Sequence, residues 1–310
     1  MHLGTSLFKA PKSPKFIDIM DDLIAQKVTS VIREASQRFI LPRFKALKSS
    51  EIETKTNPTD LVTMADIEAE AFFEVVLPQL LPGSIVLGEE GASRGEHDLS
   101  LLTPEAGQRA WVVDPVDGTY NFVHGRGDFG VMVCLVENGV CVASWIYDVL
   151  RDSMAHALRG QGAYIDGEPL TTPQDDLPFE QMIVHLSPKF FPPDIKQAMK
   201  TKAAAMPNVK TVGSAAHEYL KVARGVSDAA VYCRLKPWDH LPGALIVQEA
   251  GGVITKWNGQ EYTPQDRYDG LIVARTRRGW QNVYDAFFGD MDLDAYMKAR
   301  WEMLRKQGKV

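Results

Sequence analysis

Apolar positions recur at helical spacing from about Ile17 to Phe39, through Met20, Leu23, Ile24, Val28, Val31 and Ile32, and predict an amphipathic helix. A second helix is predicted from about Thr63 to Leu80, where Phe72, Phe73, Val76 and Leu77 keep the same period and Pro82-Gly83 ends it. The period then changes. Ser84 to Leu87 and Trp111 to Val113 are short apolar runs that predict buried strands, with Pro115 expected to stop the second. From Asp128 to Leu158 the chain is β-rich, and Glu137-Asn138-Gly139 predicts a tight hairpin between strands at 131–136 and 140–147. Arg159 to Gly162 and Ile165 to Gly167 add two turns; a Gly-x-Gly of this kind is too weak to mark a nucleotide loop.

Beyond the Pro- and acid-containing stretch from Thr171 to Pro178, strands and helices alternate. Strands are expected at 182–186, up to Val212, at 229–233 and near Val253 and Leu271; helices at about 194–205, from Gly213-Ser214 through Val222, and from Asp239. The tail from Asp290 carries Leu293, Met297, Trp301 and Leu304 at helical spacing and predicts an amphipathic helix docked on the body or on a neighbouring subunit. The seam divides the chain into an expected α+β unit, 1–170, and an α/β unit, 171–310, with the active cleft between them.

Composition narrows the function classes. A chain of 310 residues with net charge −6 and no basic stripe argues against nucleic acid as a partner, although Lys9, Lys12 and Lys15 make the first segment locally positive. No apolar leader and no membrane-length apolar run occur, so a cytoplasmic, non-membrane protein is expected. Cys134, Cys141 and Cys233 lack metal spacing and sit in apolar strand-like surroundings, which predicts reduced core thiols.

The chemistry concentrates where strands end. Trp111 to Val113 delivers Asp114 and Asp117, three residues apart, into a turn closed by Gly118-Thr119. Glu89 and Glu90 follow the strand ending at Leu87, and Asp239 opens an apolar helix. Converging carboxylates repel one another unless a cation sits between them, and hard oxygen ligands suit Mg²⁺ better than zinc. Taken alone, Asp-Pro and Asp-Gly are ordinary turn dipeptides. Glu90 and Glu249 are expected to be exposed or capping carboxylates, and Asp60 a turn residue. Asp66 lies in the first turn of its helix, where it could serve the helix dipole or a site.

The Asp114-Pro115-Val116-Asp117-Gly118-Thr119-Tyr120-Asn121-Phe122 segment, with Trp238-Asp239 and Glu249-Ala250-Gly251-Gly252, resembles the inositol monophosphatase family from about Lys55 to Ala274. That resemblance implies a layered α/β sandwich shared with fructose-1,6-bisphosphatase, and a Mg²⁺-dependent, lithium-sensitive phosphatase of a small phosphorylated metabolite, working as a homodimer. It implies Glu89, Asp114, Asp117, Asp239 and the Val116 carbonyl as ligands of about two or three ions. It further implies Thr119 and Asp66 as the pair that orients the attacking water, with Glu89 beside them in catalysis, and Lys55 as the lysine of a covering loop. Gly118 and Thr119 amides would take phosphate oxygens; Gly213 and Ser214 would wall the substrate ring, Ser214 being equally a helix cap.

One position departs from the pattern. Where inositol-cleaving members carry an acid seven residues before the Trp-Asp aspartate, this chain has Tyr232. Arg234 and Lys236 lie between, and are expected either to favour a second anionic group on the substrate or to be solvated and paired with surface acids. Histidinol phosphate, fructose 1,6-bisphosphate and a nucleotide 3′-phosphate therefore stand beside inositol phosphate as substrates. A regulatory binding protein of transcription or ribosome assembly is the alternative of another class.

Overall fold

The structure, a computed structural model, describes residues 22–55, 58 and 60–307. Helix α1 (Asp22–Ala35) runs into a π-helical turn (Ser36–Ile40), and the hairpin of β1 (Ile52–Thr54) and β2 (Leu61–Thr63) leads to α2 (Met64–Leu80). Thr63 caps α2 reciprocally with Asp66: the Thr63 hydroxyl accepts the Ala65 amide, and the Asp66 carboxylate accepts the Thr63 amide at 2.8 Å.

Strand β3 (Ile85–Gly88) is followed by the short helix α3 (Glu89–Arg94), and β4 (Arg109–Asp117) by α4 (Thr119–Val123). With β5 (Gly130–Glu137), β6 (Val140–Asp148), β7 (Ser153–Leu158), β8 (Ala163–Ile165) and β9 (Glu168–Leu170) they form a seven-stranded sheet in chain order, in which only β3–β4 is parallel. The remaining chain supplies β10 (Val184–Leu186), α5 (Pro193–Ala204), β11 (Val209–Lys210), α6 (Ala215–Ala223), β12 (Ala229–Tyr232), α7 (Pro237–Glu249), β13 (Val253–Lys256), β14 (Leu271–Ala274), α8 (Arg277–Phe288) and α9 (Leu293–Lys306). Its sheet has the order β11-β10-β12-β14-β13.

Strand alternation builds the layers. Trp111 and Val113 of β4 face the core of α1 and α2, while Ala110 and Val112 face a second core with Leu220 of α6 and Leu241 of α7. On the other sheet Ala230 and Val273 meet that middle core, and Ala229, Val231 and Ile272 face a third core with Met199 of α5, Phe287 of α8 and Met297 of α9. The result is a layered sandwich in which helices and sheets alternate, with α6 and α7 packed between the sheets.

Several elements differ from expectation. Pro115 does not stop β4: pairing passes from Asp114↔Met132 to Asp117↔Gly130, so the strand bulges by one residue there and tolerates a position without an amide. Leu23 is 56% exposed rather than on the apolar face of α1, whereas Val28 and Ile32 are fully buried. Ile17 and Met20 lie outside the described residues. Helix α8 was not foreseen. The 137–139 hairpin holds, with Asn138 and Gly139 both at positive φ (49° and 74°), as a primed two-residue turn requires. Helix α9 docks through Leu293, Met297 and Leu304, and the Trp301 indole donates to Asp269 at 2.8 Å. All three cysteines are buried and free.

Candidate active site

Distant segments deliver side chains to one cavity of about 400 Å³, among them the ends of β3 and β4, the loop before α6, the link after β12 and the first turn of α7. One carboxylate oxygen each from Glu89, Asp114 and Asp239 falls within 4.8 Å of the others. Burial, then the charges of Glu89, Asp117 and Asp239, push the Asp114 carboxyl well above its usual range; burial likewise takes Asp239 up to about 7, against the nearby Lys236. Burial also opposes ionisation of Glu89, but the ammoniums of Lys236 and Lys55 outweigh it and hold that carboxyl low. An all-oxygen set that resists carrying its full charge alone fits a hard divalent cation.

Asp117 lines the same cavity but its carboxylate belongs to the start of α6. It accepts the Ser214 hydroxyl at 2.5 Å and the Ala215 and Ala216 amides at 3.1 and 2.8 Å. Ser214 is thus both a cap, accepting the His217 amide at 3.3 Å, and the tie between the two sheets' halves of the site. Gly118 has φ 86°, and a Cβ there would stand 3.0 Å from the Asp128 carbonyl and the Ser214 side chain, so only glycine fits. The Asn121 amide nitrogen donates across the cleft to the Asp128 and Val212 carbonyls at 2.7 and 2.9 Å, fixing the wall that carries Gly213.

Asp66 serves its helix cap and also faces the site: Thr119 Oγ1 lies 3.4 Å from Asp66 Oδ1 and donates to the Val116 carbonyl at 2.9 Å. Burial pushes Asp66 up to about 6 against the Thr63 hydrogen bonds. Lys55 Nζ sits 3.2 Å from Glu89 Oε1 and 2.7 Å from Glu90 Oε1. Glu90 is therefore not an exposed carboxylate; it is 4% exposed, and burial beside Glu89 raises its pKa. Glu249 is neither exposed nor a helix cap: half-buried at the end of α7, it accepts the Gly160 and Gly162 amides of the turn between β7 and β8 at 2.8 and 2.9 Å. Asp60 lines the cavity while its carbonyl accepts the Lys55 amide.

Sequence patterns missed Glu70. Buried on α2, it accepts the Glu90 and Gly91 amides at 2.8 and 2.6 Å and so anchors the turn that presents Glu89. The signal was available: Glu70 lies four residues after Asp66, an acid on the same helix face among apolar neighbours. Glu218 was also missed. It lines the cavity, its carboxylate accepts the Val212 amide at 3.0 Å, and burial raises its pKa to about 7.

Tyr232 stacks on Tyr219 with centroids 5.4 Å apart, and its hydroxyl is buried next to Glu218, so it fills the wall where an acid was expected in the pattern. Arg234 is exposed at the cavity, its guanidinium 6.0 Å from the Phe190 ring centre. Lys236 is neither solvated nor paired with a surface acid; its ammonium holds Glu89 Oε1 at 2.6 Å.

The model of the inositol monophosphatase family matches residues 22–286. The chain is similar to the inositol-1-monophosphatase of Bacillus subtilis, at 35% identity over 75% of this chain and 84% of that one. It is also similar to a fructose-1,6-bisphosphatase/inositol-1-monophosphatase of Thermotoga maritima, at 30% identity over 68% of this chain and 77% of the other. Among solved structures, inositol monophosphatase II of Staphylococcus aureus MSSA476 matches with a TM-score of 0.73 and 27% identity, covering 90% of this chain and 99% of that one.

Proposed function

The chain belongs to the inositol monophosphatase family and is a phosphatase, and from that premise we propose that it hydrolyses a small-molecule phosphomonoester with Mg²⁺ as its cation. The observation that carries this reading is the convergence of Glu89, Asp114 and Asp239 at a cavity that also holds Thr119 and Gly118. These three carboxylates and the Val116 carbonyl would hold the metal, and Asp117 would add only the lone pairs left beyond its bonds to Ser214, Ala215 and Ala216. Bound there, Mg²⁺ supplies neutralisation of the phosphoryl oxygens and activation of a water.

The chain's own groups do the rest. Thr119 Oγ1 would orient the attacking water and pass a proton toward Asp66 Oδ1, 3.4 Å away. The Gly118 and Thr119 amides would take phosphoryl oxygens, the turn that presents them resting on the left-handed backbone of Gly118, where a Cβ would press on the Asp128 carbonyl and Ser214. Gly213 and Ser214 wall the ring of the substrate, and Lys55 lays a positive charge over Glu89. A homodimer in the cytoplasm and inhibition by lithium complete the reading.

Tyr232 in place of an acid disfavours recognition of neutral polyols, while exposed Arg234 supports a substrate with a second anionic group, such as a bisphosphate or a phosphorylated carboxylic acid. Phosphate release with and without Mg²⁺, over inositol 1-phosphate, histidinol phosphate, fructose 1,6-bisphosphate and adenosine 3′,5′-bisphosphate, tests both statements. Metal-independent turnover, or full activity of Asp114→Asn, removes the mechanism. A preference for inositol phosphate untouched by Arg234→Ala removes the substrate assignment.

A further inference from the structure

Lys236 precedes Pro237, the first residue of α7, and its backbone is extended (φ −69°, ψ 131°), so the start of the helix fixes its Cα and leaves the side chain to move. Its stem crosses Trp238, with Nζ 5.3 Å from the ring centre, and its ammonium ends on Glu89 Oε1 at 2.6 Å. The same oxygen lies 3.2 Å from Lys55 Nζ. The two lysines are not equivalent. Lys55 has a second, closer acid in Glu90 at 2.7 Å, whereas the one ion pair of Lys236 among the described residues is with Glu89.

Glu89 is one of the three carboxylates that converge to hold a cation. A carboxylate already holding two ammoniums has little negative charge left for a dication, and a dication placed on it repels both lysines. Lys55 can withdraw onto Glu90. Lys236 has the cavity itself to enter, because it lines that space together with Arg234 and Thr119.

We propose that Lys236 is an exchangeable counter-ion of Glu89: a divalent cation displaces its ammonium, which then swings into the cavity and binds the anionic group of the substrate. The proposal rests on the metal-dependent phosphatase reading and deepens it. Because one lysine serves two carboxylate- and phosphate-facing positions in turn, metal and substrate bind with positive coupling, and that coupling is reciprocal. Each ligand weakens the contact that opposes the other.

Titration with Mn²⁺, followed by the electron paramagnetic resonance signal of the free ion, tests this on wild type, Lys236→Gln and Lys236→Met, each with and without inorganic phosphate. Without phosphate both variants bind Mn²⁺ more tightly than wild type, by roughly fivefold, the fold-change of losing one partly screened ion pair. Phosphate tightens Mn²⁺ binding to wild type, and this enhancement falls to less than half in the variants. Thermal melting of each protein confirms that it is folded. Equal or weaker Mn²⁺ binding by both folded variants, or an undiminished phosphate effect, overturns the role of Lys236 alone. A wild type that binds no Mn²⁺ overturns it together with the metal reading.

Discussion

Replacing Asp114 by Asn removes one charge from the carboxylate cluster and almost no volume, so it separates the electrostatic cost of the site from its use. Asp114 is 2% exposed, and an amide oxygen in its place can still accept the Val116 amide, now held at 3.0 Å. Two fully ionised groups 4.8 Å apart, the separation that bounds the three converging oxygens, repel by about 3.5 kcal/mol at an effective dielectric of about 20. Partial protonation and the ammoniums of Lys236 and Lys55 absorb much of this, leaving a net gain of about 1–2 kcal/mol for metal-free Asp114→Asn at pH 8. Magnesium at about 100 times its dissociation constant stabilises wild type by roughly 2.7 kcal/mol, and the variant by well under half of that. Thermal melts in EDTA and in excess Mg²⁺ should therefore cross: the variant is more stable without metal and wild type gains far more with it. Phosphate release should fall by about 10³-fold. A variant that is less stable than wild type in EDTA, or that gains as much from Mg²⁺, refutes the claim that Asp114 is held against repulsion for a cation.

Three further outcomes follow from the surrounding contacts. In Gly88→Ala the new Cβ would stand 2.1 Å from Glu70 Oε2, so Glu70 must leave the Glu90 and Gly91 amides; urea unfolding should show a loss of about 2–3 kcal/mol, and an unchanged midpoint would sink the anchoring role. Ser214→Ala removes the hydroxyl between Asp117 and the α6 amides and should cost about 1–2 kcal/mol in the same assay, with no loss expected if the cap were idle. For Glu218 burial lifts the folded pKa from 4.5 to about 7, so the folded chain holds its proton longer than the unfolded one and stability falls as pH rises between those values. Glu218→Gln, which keeps an acceptor for Val212, should match wild type near pH 4 and exceed it by up to about 3 kcal/mol at pH 8, and a constant difference across pH would contradict the cause given.

Much of the scaffold was legible because its signals are local. Asn138-Gly139 demanded a primed turn, and Thr63 with Asp66 three residues on wrote the start of α2. The acids at strand ends and at the opening of α7 marked the site before any geometry was known. Pro115 misled for a physical reason: a missing amide ends a regular strand, but a bulge needs no ladder bond at that point, and only the pairing of β4 with β5 reveals it. Helix α8 is less legible although Trp280, Val283 and Phe287 keep a helical period, because charged residues open it.

By itself the sequence determined the periods, the turns, the caps and the set of acids from which a cation site could be drawn, all properties of neighbouring residues. Tertiary structure decided how those acids are used. Asp117 looks like the twin of Asp114, yet the start of α6, 97 residues away, takes its carboxylate by hydrogen bonds, while Asp239 joins Asp114 and Glu89 instead. Lys236 read as either a substrate-facing or a solvated charge, and the structure makes it the partner of Glu89, 147 residues distant. The physical reason is that a side chain's partner is chosen by which elements pack together across the cleft. A carboxylate carries no mark of whether an amide, an ammonium or a metal ion will be nearest when the layers close.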